Sequence, residues 1–137
     1  MLEQTFLVDF AKRYTAAWCS HDPASVASFY LSNGSLCING GIPAVGRSAI
    51  ADTAQGFMRA FPDLQVLMDK VLVRGEGAEY HWTLLGTNTG PGGTGNRVHI
   101  SGFEVWKFGD AGRIAESLGS FDERAYRRQL EHGIDPG

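Results

Sequence analysis

Glu104 stands in "SGFEVWKF", on a strand face otherwise made of Val98, Ile100, Trp106 and Phe108. A carboxyl group among apolar side chains loses its hydration, which disfavours the charged form and raises its pKa. That is how a protein makes a general acid or base usable near neutral pH. The same pattern also fits a carboxylate paired with an arginine at a strand edge or dimer interface, and the sequence leaves both readings open. His81 is the second candidate, because an imidazole titrates where such chemistry runs. It lies beside Trp82, so the two side chains point to opposite faces of a strand. His81 shares its parity with Glu79 and Thr83. That polar face is either the outer surface or the polar wall of a cavity. Glu104 and His81 form a working pair only if they share a face, and parity does not carry across the long loop between them. Asn88 and Ser117 are candidates for orienting a ligand oxygen, as groups that hydrogen-bond without titrating near neutral pH.

Other chemistries find little support. His21, His81, His99 and His132 show no HExxH or HxH spacing, and Cys19 and Cys37 lack a CxxC arrangement. No metal site is expected from such spacing. The stretch "TNTGPGGTGNR" raises the question of a phosphate cradle. It has no Gly-Lys-Ser/Thr, and a strand rather than a helix follows it, so no helix N-terminus waits for an anion. It reads as a wide hairpin connection between two long strands.

The elements that must position these residues follow from periodicity. Phe6, Phe10, Tyr14 and Trp18 recur every four residues and predict a helix over about 5–20. Asp22-Pro23 starts a second, short helix to about Tyr30. A small strand over 35–39 comes next. Gly46-Arg47-Ser48 opens a third helix with a stripe of Ile50, Ala54, Phe57 and Phe61, stopped by Pro62. From Leu64 the period becomes two. A one-residue slip near Asp69-Lys70 predicts a β-bulge, which bends and twists a strand. Strands over 78–88, 98–108 and 113–121 complete a four-stranded antiparallel meander, and Asp122 caps a last helix through His132. Asp63 and Asp122 read as turn or capping residues, and "ERAYRRQ" as a solvated face.

This order predicts an α+β fold. The expected shape is a cone: a strongly curved antiparallel sheet with helices on its concave side and a cavity between them. One domain over 1–132, with a frayed tail over 133–137, fits the chain of 137 residues. Abundant aromatics supply the core, and Trp18, Phe57 and Trp82 are the choices for lining a pocket that holds a small hydrophobic organic molecule. A net charge of −3 argues against nucleic acid as the main partner. No apolar run approaches membrane-spanning length, and the N-terminus lacks a secretory pattern, so the cytoplasm is the default expectation.

The segments "FPDLQV", "WTLLGTNTG", "SGFEVWKF", "GRIAESLGSFDE" and "RRQL", in this order and spacing, resemble the SnoaL-like polyketide cyclases. These belong to the larger fold group of nuclear transport factor 2 and ketosteroid isomerase. The resemblance covers nearly the whole chain and implies the cone read above, with a homodimer built on the sheet's outer face. It implies an intramolecular aldol cyclisation, with no cofactor, begun by an acidic residue in the last strand that removes a proton next to a carbonyl. That position falls on Gly119, which cannot take a proton. Many relatives carry histidine at Asn88. The family register turns Ala115, Ser117 and Gly119 inward as a track of small side chains, leaving volume near the missing acid, and turns Glu116 outward. Two functions follow as expectations. One is cofactor-independent proton transfer (cyclisation, isomerisation or dehydration of a hydrophobic carbonyl compound). The other is non-catalytic ligand binding or dimerisation, which Gly119 favours. Epoxide hydrolysis, as in limonene epoxide hydrolase of the same fold group, resembles an Asp-Arg-Asp constellation that these strands do not clearly offer.

Overall fold

The computed structural model describes residues 3–134. Helices α1 (Gln4–Cys19) and α2 (Pro23–Ala27) are followed by strands β1 (Tyr30–Ile38) and β2 (Ala44–Val45), then α3 (Arg47–Ala60). Strands β3 (Gln65–Arg74), β4 (Gly77–Thr87), β5 (Arg97–Phe108) and β6 (Ile114–Phe121) form the meander, and α4 (Glu123–His132) ends it. Of the expected tail over 133–137, residues 135–137 lie outside the described residues. The six strands run in the order β2-β1-β6-β5-β4-β3. The meander is antiparallel throughout, and β1 joins it in parallel beside β6.

The expected bulge is present. Met68 pairs with Trp82 and Lys70 with His81, so Asp69 is the extra residue. A second bulge is not visible in the periodicity. Lys107 pairs with Glu116 but Phe108 with Ile114, so Ala115 is skipped. Ile114, Ser117 and Gly119 therefore all face inward, whereas simple alternation puts Ile114 on the opposite side. Strand β1 starts five residues before the expected one. Asn33-Gly34 lies inside it rather than ending a helix: a Cβ on Gly34 would fall 2.9 Å from the Ile114 carbonyl oxygen, so the glycine permits a close backbone approach.

Helix α1 buries Leu7, Phe10, Ala11, Tyr14, Ala17 and Trp18. These positions follow the 3.6-residue period, so the stripe lies one step round from a strict four-residue repeat, and Phe6 is left at the exposed edge. Helix α2 takes its N-cap from Asp22, whose side chain accepts from the Ala24 N–H. One end of the concave space is filled by aromatic rings: Tyr80 and Trp106 stack at 4.8 Å, and Phe10 and Tyr14 meet Trp106 edge-on at 5.4 and 5.1 Å. That packed end fixes the border of the remaining cavity. Among the described residues, no helix is long and apolar enough to cross a membrane.

Candidate active site

An apolar pocket lies between α1, α3, α4 and the inner face of the sheet. Its cavity volume is about 60 Å³, behind an open mouth. Trp18 enters from α1, Phe57 from α3, Trp82 from β4, Gly119 from β6 and Tyr126 from α4. Leu36 and Ile38 of β1 and Phe121 of β6 complete that side of the wall. Trp18, Phe57, Trp82 and Gly119 are thus brought together as pocket lining. Tyr126 had been hidden in a segment that reads as solvated. It is held there by edge contact with Phe121 at 5.4 Å.

Glu104 is the carboxyl group in this lining. It projects from the inner face of β5, paired with Tyr80 on one side and Gly119 on the other. Only 7 % of it is exposed. Its Oε1 accepts from the Ser117 hydroxyl at 2.6 Å, the Trp106 indole N–H at 2.9 Å and the Tyr14 hydroxyl at 3.0 Å. Its Oε2 has a single, longer contact, 3.4 Å from the same tyrosine oxygen. The Tyr30 hydroxyl sits 2.8 Å from that of Tyr14. Since Tyr14 gives its one proton to Glu104, Tyr30 donates to Tyr14, and a short relay backs the carboxyl group. Burial pushes the Glu104 pKa above the ordinary carboxyl value, while the bonds from Ser117, Trp106 and the two tyrosines pull it down. Burial, followed by the nearby Glu104 charge, raises both tyrosines far above their usual range, so they stay protonated donors.

The arginine pairing considered for Glu104 is absent among the described residues; its partners are neutral. His81 does not share its face. It lies on the outer side of β4, stacked on Phe103 at 5.5 Å, with Nε2 3.0 Å from a Glu79 carboxylate oxygen. Burial first, then the charge of Lys70, holds its pKa below the usual value, so at neutral pH the contact is a hydrogen bond from a neutral imidazole. The pairing of His81 with Glu104 is therefore not realised, because ten paired residues of β4 and β5 keep the two parities apart. Asn88 is also elsewhere. It is buried at the base of the glycine loop, donating to the Ala60 carbonyl at 3.1 Å and accepting from the Thr94 N–H at 2.8 Å. Its side chain is used up in tying the loop to α3. Ser117 is fully buried behind Glu104, and its hydroxyl is given to that carboxyl group rather than to the pocket.

Sequence reasoning missed Tyr14 and Tyr30 as members of the site. Tyr14 carried a usable signal: a hydroxyl on the buried stripe of a helix needs a partner. Tyr30 carried none, because its strand begins before the segment that reads as strand. Gly119 faces Glu104 directly: a Cβ there would rest 3.7 Å from Glu104 Cγ, an ordinary contact.

A bent six-stranded sheet with helices over its concave face, and one buried carboxyl group in an apolar wall, defines the class of small α+β pocket folds. The SnoaL-like polyketide cyclase family matches residues 8–130, and the chain belongs to that family. Solved structures share the fold at low identity. A protein with a ketosteroid isomerase-like fold from Catenulispora acidiphila, in complex with trimethylamine, is 13% identical with TM-score 0.78, covering 89% of this chain and 92% of its own. A SnoaL-like protein of unknown function from Burkholderia thailandensis is 19% identical with TM-score 0.73, covering 89% and 99%. The epoxide hydrolase/cyclase-like enzyme SalBIII, which has a role in pyran ring formation in the polyether salinomycin, is 14% identical with TM-score 0.78, covering 91% and 97%. No curated protein sequence matches the chain significantly.

Proposed function

We propose that the protein binds a small, mostly apolar carbonyl compound and moves a proton on the carbon next to that carbonyl, with Glu104 as the base. The observation that carries this reading is the asymmetry of Glu104. Oε1 is held by three donors, while Oε2 is left nearly unengaged on a group that lines the pocket. In the proposed step the C–H bond breaks, its electron pair passes into the enolate, and the proton goes to Oε2. In an isomerisation Glu104 returns the proton to another carbon. In a cyclisation the enolate carbon bonds to a second carbonyl carbon, and the proton goes to the alkoxide that forms. A carbon acid needs a base stronger than an ordinary carboxylate, and burial supplies it. The donors from Ser117, Trp106 and Tyr14 keep that rise from suppressing ionisation altogether.

The SnoaL-like membership supports this reading, since the acid missing at Gly119 has a carboxyl neighbour on the next strand. Gly119 also favours a second reading, a pocket that binds without turnover. Exchange of the α-hydrogens of 1-tetralone in D₂O separates the two. Wild type is expected to accelerate exchange above the buffer rate, with a rate that rises with pH through the raised carboxyl pKa, and E104Q to lose the acceleration. Binding of 1-tetralone with no acceleration in wild type would leave the binding reading alone.

A further inference from the structure

Among the described residues, one buried side-chain polar atom has no hydrogen-bond partner in the protein: Trp82 Nε1. The donors that surround Glu104 are satisfied. Tyr14, Tyr30, Trp106 and Ser117 spend theirs on each other and on Glu104. An indole N–H can only donate, and a buried donor left unmatched costs free energy that an acceptor of suitable reach would return. Trp82 sits on the inner face of β4, in the pocket wall, opposite Gly102 of β5. A Cβ on Gly102 would come within 2.7 Å of Trp82 Cζ2. That carbon and Nε1 are both bonded to the same ring carbon, so the N–H side of the indole lies towards β5. Gly102 makes room for it one inner-face position from Glu104, about 7 Å along the strand.

The geometry points to Trp82 as the donor that recognises the oxygen of the bound molecule. We infer that the indole N–H takes the ligand's acceptor oxygen while Glu104 faces the neighbouring carbon. This rests on the reading of the pocket as a site for a carbonyl compound and adds its selectivity. An apolar skeleton bearing an acceptor oxygen satisfies the N–H, whereas the bare hydrocarbon of the same shape leaves it unpaired. Sites built around a hydrogen bond discriminate strongly against an analogue that lacks it.

The test compares 1-tetralone with tetralin, the same two-ring skeleton without the oxygen. In ¹⁵N-labelled wild type, one indole N–H resonance, identified by its loss in W82F, is expected to move downfield with 1-tetralone and not with tetralin. The ratio of the two dissociation constants is expected to fall about tenfold from wild type to W82F, a comparison that cancels the different hydration of the two probes. A Trp82 resonance that stays put while 1-tetralone binds overturns the inference, as does an unchanged ratio. If W82F fails to fold, the Trp82 resonance is assigned in wild type by its through-space contact with Gly102, and the same shift decides the matter. A Trp82 shift without α-hydrogen exchange supports the recognition role and removes only the proton-transfer reading. Binding of neither probe overturns both.

Discussion

At the scale of single residues, Glu104 was legible because it interrupts an apolar parity, and the structure keeps it buried on that face. Its surroundings were not legible. Donors from α1, β5 and β6 converge on it, and no local pattern links Tyr14 with Ser117 or Trp106. The pH response of stability follows from its raised pKa. The folded protein holds this proton more tightly than the unfolded chain, so the contribution is full below the ordinary carboxyl value near 4.5 and is lost as pH rises through the native value. Wild-type stability is therefore expected to decline across that window relative to E104Q, by about 1.4 kcal/mol for each pH unit between the two values. Urea unfolding at a series of pH values measures it, and parallel curves for the two proteins would contradict it.

At the scale of elements, the bulge at Asp69 could be read because it shifts hydrophobic parity within a long strand. The bulge at Ala115 could not, since Ile114 and Leu118 are apolar on either face and conceal the slip. The glycine loop between β4 and β5 proves to be a hairpin connection tied to a helix end. Gly90 donates its N–H to the Ala60 carbonyl, and a Cβ at Gly90 would clash with the Arg59 carbonyl oxygen. Asn88 and Asp63 fasten the same region, Asp63 by accepting from the Thr87 N–H and hydroxyl at 2.7 Å each. An N88A substitution strands the Thr94 N–H and leaves the Ala60 carbonyl with the Gly90 N–H alone. It is expected to cost about 1–3 kcal/mol of stability. Because Asn88 does not line the pocket, the affinity for 1-tetralone should stay within about twofold of wild type. A large loss of affinity with unchanged thermal stability would return Asn88 to the binding site.

At the scale of the whole molecule, the outer face of the sheet carries Leu67, Leu72 and Leu118, each more than 40% exposed. Leu72, Glu79, Val105 and Leu118 form one row across four strands. The homodimer expected from the family resemblance would cover this face, since a two-fold axis brings the same patch of each copy together. Sedimentation is expected to give twice the 14.9 kDa chain mass for wild type and the single mass for L118E. A monomeric wild type would remove the dimer. The parallel pairing of β1 with β6 joins Leu36 to Ser117 and Ile38 to Gly119, partners from opposite ends of the chain. Such distant pairings make folding slow, because a long loop must close before they form. During synthesis on the ribosome, β1 waits with only the two-residue β2 beside it until β6 has been translated. A product cut short after β5 has neither Ser117 to hold the carboxyl group nor the strand that seals the cup. It would leave the ribosome with a sticky open edge, fit for chaperones or proteases rather than for chemistry.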